Sequence, residues 1–279
     1  MDGLLLINKD KGYTSRDCIN ILSKVLNTKK IGHFGTLDPL ATGLLVVGVG
    51  KYTKAQKILD KEVKEYEVTV LIGKSTDTYD ITGNVLWEDN YKGDTDKITK
   101  ALLSFKGSYT QEVPIYSAVK VNGKKLYEYA RCNIDVKLPK KEVNVFSIDN
   151  IKIKDNFLYF RCKVSKGFYI RSLINDLSLK LNIPMCMADL KRISIDNFSI
   201  NDSYTLEDIK NGNFKFYDVS KLFNYKKIEI DAVLEKKILN GCKLDNIYNL
   251  DNVLFTKNNK LFALYRKNDC NMLVKAFIF

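Results

Sequence analysis

Gly32-His33-Phe34-Gly35-Thr36-Leu37-Asp38-Pro39-Leu40-Ala41-Thr42-Gly43, with the run Leu44-Leu45-Val46-Val47-Gly48-Val49 directly behind it, decides how the rest of the chain is read. The first twelve residues hold three glycines, a proline, a single carboxylate and the only histidine of the protein. Glycine widens the accessible backbone angles, while proline fixes φ and removes a donor. The run therefore reads as a shaped loop rather than a regular helix or an ordinary strand. The apolar run reads as a buried strand. A loop anchored to the core and carrying one acid is a place for chemistry.

Outward from this stretch the chain alternates short strands with amphipathic helices. Residues 3–8 are apolar and of strand length. Thr14 or Ser15 then caps a helix with Cys18, Ile19, Leu22, Val25 and Leu26 at helical spacing. Downstream, residues 54–60 read as a short helix, 65–72 and 84–88 as strands, 89–96 as a loop and 97–105 as a helix. Strands are expected at 142–153, 158–164 and 188–195. Between them a helix over 169–181 places Ile170, Leu173, Ile174, Leu177 and Leu181 on one face. A short helix is expected over 206–211. Composition shifts near Tyr225. Beyond it Asp231 caps a helix over 232–239, and short strands follow at 253–256, 261–265 and 273–277, the pattern of a small barrel-like unit.

Lys and Arg total 45 against 33 Asp and Glu, a net charge of +12. That balance suits a polyanionic partner such as nucleic acid, and equally a merely solvated basic face. The six cysteines are scattered, with no CxxC pair and no histidine nearby, so they read as ordinary thiols of a reducing compartment rather than a zinc site. The first nine residues lack the basic start and long apolar run of a signal peptide. No segment has the length to span a bilayer. A cytoplasmic protein with no membrane contact is expected.

Several residues could carry chemistry. Asp38 reads either as a turn acid or as a nucleophilic or acid–base carboxylate, which would need a nearby cation. Arg171 offers that cation. It sits near a helix start, where the helix dipole disfavours positive charge, so an anionic partner would compensate. Tyr169 lies two residues earlier and projects to the same side if the entry is extended. Tyr66 opens a strand and His33 sits beside a basic patch. Taken alone, each reads first as a structural residue, although the imidazole is also a ring that can stack on a base. In residues 113–131 basic side chains and tyrosines interleave around an Asn-Gly turn.

Together these pieces resemble the signature of the bacterial tRNA pseudouridine-55 synthases. The resemblance runs from Leu5-Leu6-Ile7-Asn8-Lys9 through the opening loop, Tyr66 and Gly73-Lys74-Ser75-Thr76-Asp77-Thr78-Tyr79-Asp80. It continues through Tyr116-Ser117-Ala118-Val119-Lys120, Gly123-Lys124-Lys125-Leu126-Tyr127-Glu128-Tyr129-Ala130-Arg131, Ser165-Lys166-Gly167-Phe168-Tyr169-Ile170-Arg171 and Asp189-Leu190-Lys191-Arg192. Matches in one order over most of the chain are far more specific than any one motif.

The resemblance implies an α+β pseudouridine-synthase fold with a central, mainly antiparallel mixed sheet. It implies a catalytic domain over 1–222 with an RNA-gripping insertion near 111–143, and a small β-rich, PUA-like RNA-binding domain over 225–279. The implied activity is isomerisation of a T-loop uridine of tRNA to pseudouridine by base flipping, without metal or cofactor. The expected partner is the tRNA T-arm, and a monomer is expected. Asp38 matches the catalytic aspartate, adding to the uracil ring or acting at the ribose. Arg171 matches its paired arginine, and Tyr66 matches the tyrosine against the target base. Tyr169 and Leu190 match pocket residues, His33 the residue filling the vacated stack, and Lys9 a substrate-side lysine. Lys120, Lys124, Lys125 and Arg131 belong to the insertion expected to grip RNA.

Three positions depart from the family pattern. Asp10 stands where proline is usual, Phe34 replaces a smaller residue, and Phe168 occupies a variable site. The segment beyond Tyr225 matches only in position and coarse pattern. Two other readings remain from the residues: an RNA-binding or tRNA-folding protein with secondary catalysis or pseudouridylation of a different RNA, and an unrelated hydrolase with an aspartate nucleophile.

Overall fold

Two continuous apolar runs become neighbouring strands, and their burial on both faces organises the molecule. The structure, a computed structural model, describes residues 1–58, 63–91 and 94–279. Strand β1 (Gly3–Lys9) is followed by helix α1 (Ser15–Val25), strand β2 (Ile31–Phe34) and strand β3 (Thr42–Val49). Along β1 and β3, Leu5, Ile7, Leu45 and Val47 pack under α1, with Cys18, Ile19 and Leu22 opposite. The alternate residues Leu4, Leu6, Leu44 and Val46 face a second core shared with the C-terminal strands. Strands covered on both faces need no polar alternation, which is why these two segments are almost wholly apolar.

The chain continues through β4 (Lys64–Ile72), the hairpin β5 (Lys74–Thr76) and β6 (Val85–Glu88), α2 (Thr95–Leu103) and β7 (Gly107–Glu112). A small hairpin of β8 (Lys120–Val121) and β9 (Lys124–Lys125) leads into the one-turn helix α3 (Leu126–Arg131). Then come β10 (Lys140–Lys154), β11 (Phe157–Val164), α4 (Ile170–Leu181), β12 (Met185–Ile195), β13 (Phe198–Ser199) and α5 (Leu206–Lys210).

The main sheet runs β1-β3-β12-β4-β11-β10-β7, with β2 and β13 attached to β3 and β12. It is antiparallel except where β12 meets β3, at Lys191↔Thr42 and Arg192↔Gly43. In β4, Tyr66, Val68, Val70 and Ile72 join the core beneath α2 and α4, while Glu65 and Glu67 point the other way. Those two carboxylates pair with Arg161 and Lys163 of β11. This clean period of two is the signature of a half-covered strand.

The C-terminal sheet contains β14 (Lys227–Glu229), β15 (Leu244–Asp245), β16 (Asn252–Lys257), β17 (Lys260–Lys267) and β18 (Met272–Ile278), with α6 (Ala232–Leu239) capped by Asp231. Its order is β14-β16-β17-β18-β15.

Three expectations shift. Residues 31–34 and 42–43 are strand, so the loop proper is only residues 35–41 and His33 sits on a paired strand, opposite Val47. Gly48 makes this possible: a Cβ there would lie 2.8 Å from the Phe34 ring and 2.3 Å from the Tyr52 carbonyl oxygen. The large Phe34 is thus absorbed by a glycine on the facing strand. The helix expected over 97–105 starts and stops two residues earlier, because the Asp94 carboxylate accepts from the amides of Asp96 and Lys97. Residues 50–58 form a 3-10 helix. The last two residues of the expected 54–60 helix, and Lys92 and Gly93 of the expected 89–96 loop, lie outside the described residues.

Candidate active site

The second edge of β3 is shared. β12 pairs with its first two residues and β2 with Val46–Val49. The loop 35–41 fills the fork where those two strands part. Leu37, Leu40 and Ala41 are buried in the main core, which holds the loop down.

Hydrogen bonds fix the rest of its backbone. Ser15 of α1 donates to the Leu37 carbonyl at 3.2 Å and accepts from the Leu37 amide at 2.9 Å. Arg192 is buried, and its guanidinium donates to the carbonyls of Leu44 at 2.8 Å, Thr36 at 3.3 Å and Gly35 at 2.9 Å. The Gly12 amide donates to the Pro39 carbonyl at 2.8 Å. Lys9 was expected on the substrate side. It lies under the loop instead, fully buried, with its ammonium on the carbonyls of Tyr13 at 2.6 Å, Asp10 at 3.0 Å and Pro39 at 3.4 Å. Burial lowers its pKa, against the opposing pull of Cys18, Asp10 and Asp38.

Asp38 emerges from this braced loop with its carboxylate 2.9 Å from Nε of Arg171. Arg171 is the second residue of α4 and almost inaccessible, whereas the Asp38 side chain remains 37% exposed. The other two guanidinium nitrogens of Arg171 donate to the carbonyls of Thr78 at 3.1 Å and Tyr116 at 3.0 Å. Charge and direction are therefore both set: the arginine cannot rotate without losing three partners. The anionic partner expected for a cation at a helix start is Asp38 itself.

A cavity of about 360 Å³ opens above this pair. Asp38 and Arg171 line it together with Tyr66, Tyr169, Leu190 and Lys64. Tyr169 is not helical, as its φ of −117° and ψ of 113° show, and Gln111 clamps it. The Gln111 amide oxygen accepts from the Tyr169 amide at 2.9 Å, and its nitrogen donates to the Tyr169 carbonyl at 3.0 Å. As parts of the site, Gln111, Ser15 and Arg192 carry no local signal in the sequence, where Ser15 reads only as a candidate helix cap. Of these, Arg192 at least stood inside a matching motif.

Burial raises the pKa values of Tyr66 and Tyr169, so both are neutral phenols at neutral pH. Arg192 opposes the shift at Tyr66 through its charge and a side-chain hydrogen bond. His33 stands apart from the cavity lining. Burial, then Arg192 and Arg16, lower its pKa, and its Nδ1 has no hydrogen-bond partner among the described residues.

The basic insertion springs from the cavity wall. Ser117, Ala118 and Val119 line the cavity, and the Ser117 and Val119 carbonyls accept from the amides of Tyr127 and Leu126 of α3. Asn122 and Gly123, with φ of 50° and 83°, form the tight turn between β8 and β9. Lys120, Lys124 and Arg131 are exposed, and Lys125 is partly so. Lys125 and Arg131 each lie 5.3 Å from the Tyr127 ring centre.

An aspartate held by a buried arginine thus lies under an aromatic-walled cavity on a mainly antiparallel α+β sheet. A family model described as TruB family pseudouridylate synthase (N terminal domain) matches residues 23–170. The tRNA pseudouridine synthase B of Caldanaerobacter subterraneus subsp. tengcongensis is 41% identical over 256 residues, covering 91% of this chain and 90% of that protein. The same-named protein of Staphylococcus aureus (strain MSSA476) is 42% identical over 260 residues, covering 88% and 85%. Among solved structures, a chain of a Cbf5–Nop10–Gar1 complex shares the fold with a TM-score of 0.69 at 23% identity, over 95% of this chain and 78% of that one. The chain belongs to the TruB family of pseudouridylate synthases.

Proposed function

We propose that this protein isomerises the uridine at position 55, in the T-loop of tRNA, to pseudouridine, with Asp38 as nucleophile. The observation that carries the reading is the Asp38–Arg171 pair at the base of an aromatic-walled cavity. The names of its relatives supply the tRNA.

A uridine inside a folded RNA loop is out of reach of the carboxylate, so it is extruded, at a cost of about a few kcal/mol. Tyr66, Tyr169 and Leu190 receive the base, and stacking offsets part of that cost. His33, held neutral by burial, supplies a flat ring for the vacated stack. Asp38 attacks the nucleoside, at the uracil ring or the ribose, and so assists cleavage of the bond between N1 and the ribose; the ring turns, C5 bonds to the same ribose carbon, and the bond to the Asp38 carboxylate breaks to release it. The C5 hydrogen leaves as a proton and N1 gains one, so substrate and product are isomers and no redox partner is needed. Tyr66 lies against the base and handles that proton. Arg192 beside its hydroxyl lowers the cost of a transient phenolate.

Lys9 acts here as a positioning residue beneath the loop. Lys120, Lys124, Lys125 and Arg131 grip the backbone of the T-arm, and residues 225–279 touch the arm further along. The protein acts as a cytoplasmic monomer.

Tritium release from uridine labelled at C5 tests this reading, with a T-arm stem-loop compared against an anticodon stem-loop. Release from the T-arm alone is expected. Equal release from both, or none from either, would contradict it.

A further inference from the structure

Gln111 of β7 is fully buried and directs its whole side-chain amide at the start of α4. The amide oxygen accepts from the Tyr169 amide at 2.9 Å. The nitrogen donates to the Tyr169 carbonyl at 3.0 Å and to the Tyr109 hydroxyl at 2.7 Å. A side-chain amide has two donors, and both are used here. A flipped amide would set its oxygen against the Tyr169 carbonyl, so the orientation is fixed.

Tyr169 is the N-cap of α4, yet its own side chain caps nothing. Ser, Thr, Asp or Asn at that position would offer a short acceptor, and tyrosine does not. The neighbouring strand supplies the restraint instead. The Tyr169 ring and the Arg171 guanidinium lie on opposite sides of one rotation, the Tyr169 ψ of 113°. If Tyr169 joined the helix, ψ would turn toward about −42°. The ring and the guanidinium could not then both keep their places on the cavity. Arg171 is anchored without Gln111, through Asp38, Thr78 and Tyr116, and Ser172 donates to the Glu112 carbonyl at 2.8 Å. Tyr169 is therefore the part that loss of the amide would release.

We propose that Gln111 is a positioning residue that holds the Tyr169 ring at its angle to Arg171, and that it acts on the rate of isomerisation through Tyr169. The inference rests on the proposed reaction. Gln111 itself does not line the cavity, so its effect falls on the rate after RNA has bound.

The experiment measures single-turnover tritium release from a T-arm stem-loop by the wild type, Gln111→Met, Tyr169→Ala and the double variant, with RNA affinity and urea unfolding in parallel. Gln111→Met should slow release about 30-fold in the wild-type background and less than about threefold in the Tyr169→Ala background, the coupling typical of one hydrogen-bond network. RNA affinity should stay within about threefold of wild type, because the mutation removes no RNA contact. Gln111→Glu gives a second readout that does not depend on the fold of Gln111→Met. Its ionised carboxylate still accepts from the Tyr169 amide but faces the Tyr169 carbonyl with a second oxygen, whereas the protonated acid can again donate there. Its deficit relative to wild type at the same pH should shrink as the pH falls.

Equal losses from Gln111→Met in the two backgrounds, or a deficit of Gln111→Glu that ignores pH, would overturn the proposal. Absence of release by the wild type would instead overturn the proposed reaction, so the two failures are distinguishable.

Discussion

Arg171 is held at three points, and Lys in its place could not reproduce them. A guanidinium offers a planar fork that meets Asp38 on one edge and the Thr78 and Tyr116 carbonyls with its other nitrogens. An ammonium keeps the charge and loses the plane. Arg171→Lys should therefore lower kcat by roughly 10²–10³-fold, the scale for losing a preorganised donor, with little change in RNA affinity. Steady-state tritium release together with a filter-binding measurement checks this. A rate near wild type would show that charge alone suffices. At the same scale, the Lys9 ammonium takes the Asp10 carbonyl as one of its three acceptors, a contact made through the backbone that does not depend on the Asp10 side chain.

Helix α4 carries Arg171 at its start and a half-buried acid, Asp176, about one and a half turns on. The pKa of Asp176 is pushed up to about 6 by burial and then by Glu112. Its Oδ2 has no hydrogen-bond partner among the described residues. Between the ordinary value of 3.8 and about 6 the folded protein binds more protons than the unfolded chain, so stability falls as pH rises through that window, and the cost is complete above it. Asp176→Asn should stabilise the protein at pH 7.5 by about 1–2 kcal/mol, allowing for the solvent that still reaches the carboxyl, and by nothing near pH 4. Urea unfolding at the two pH values reads this directly. A gain of equal size at both would remove the titration argument.

Element type was legible wherever one periodicity governed a segment. β4 alternates because one face is core and the other is paired charge, and α4 shows its apolar stripe because only one side meets the sheet. The strand β2 was hidden by its glycine and by its place in a run that signals a loop. Its pairing depends on Gly48, fourteen residues from Phe34, which local pattern does not report. The site was legible as a set of residue types, and the resemblance brought Asp38, Tyr66, Tyr169, Arg171 and Leu190 to one cavity. The brace beneath them was not. A buried arginine such as Arg192 looks like a surface residue in sequence, because only the fold shows that its donors end on Gly35, Thr36 and Leu44.

At the scale of the whole molecule the two sheets share one core. Leu254, Leu264 and Phe277 of the C-terminal sheet pack with Leu4, Phe34, Val46 and Tyr52 of the N-terminal part, and the Tyr52 and Phe277 rings are 5.3 Å apart. Phe34 directly precedes the loop 35–41 that carries Asp38, so this interface supports that loop from behind. Phe277→Ala should cost about 3–5 kcal/mol and lower kcat/KM as well, measured by urea unfolding and by turnover. Lost stability with full turnover would separate the interface from the site.

Asp38 is the group proposed to attack the nucleoside, and every other proposed role depends on that attack. Tritium release from C5-labelled uridine in a T-arm stem-loop, measured under single-turnover conditions for wild type and Asp38→Asn with RNA affinity determined in parallel, tests it most directly. The expected result is rapid release by the wild type and none by Asp38→Asn, which still binds the RNA within severalfold of wild type. Release by Asp38→Asn at the wild-type rate would contradict the central claim.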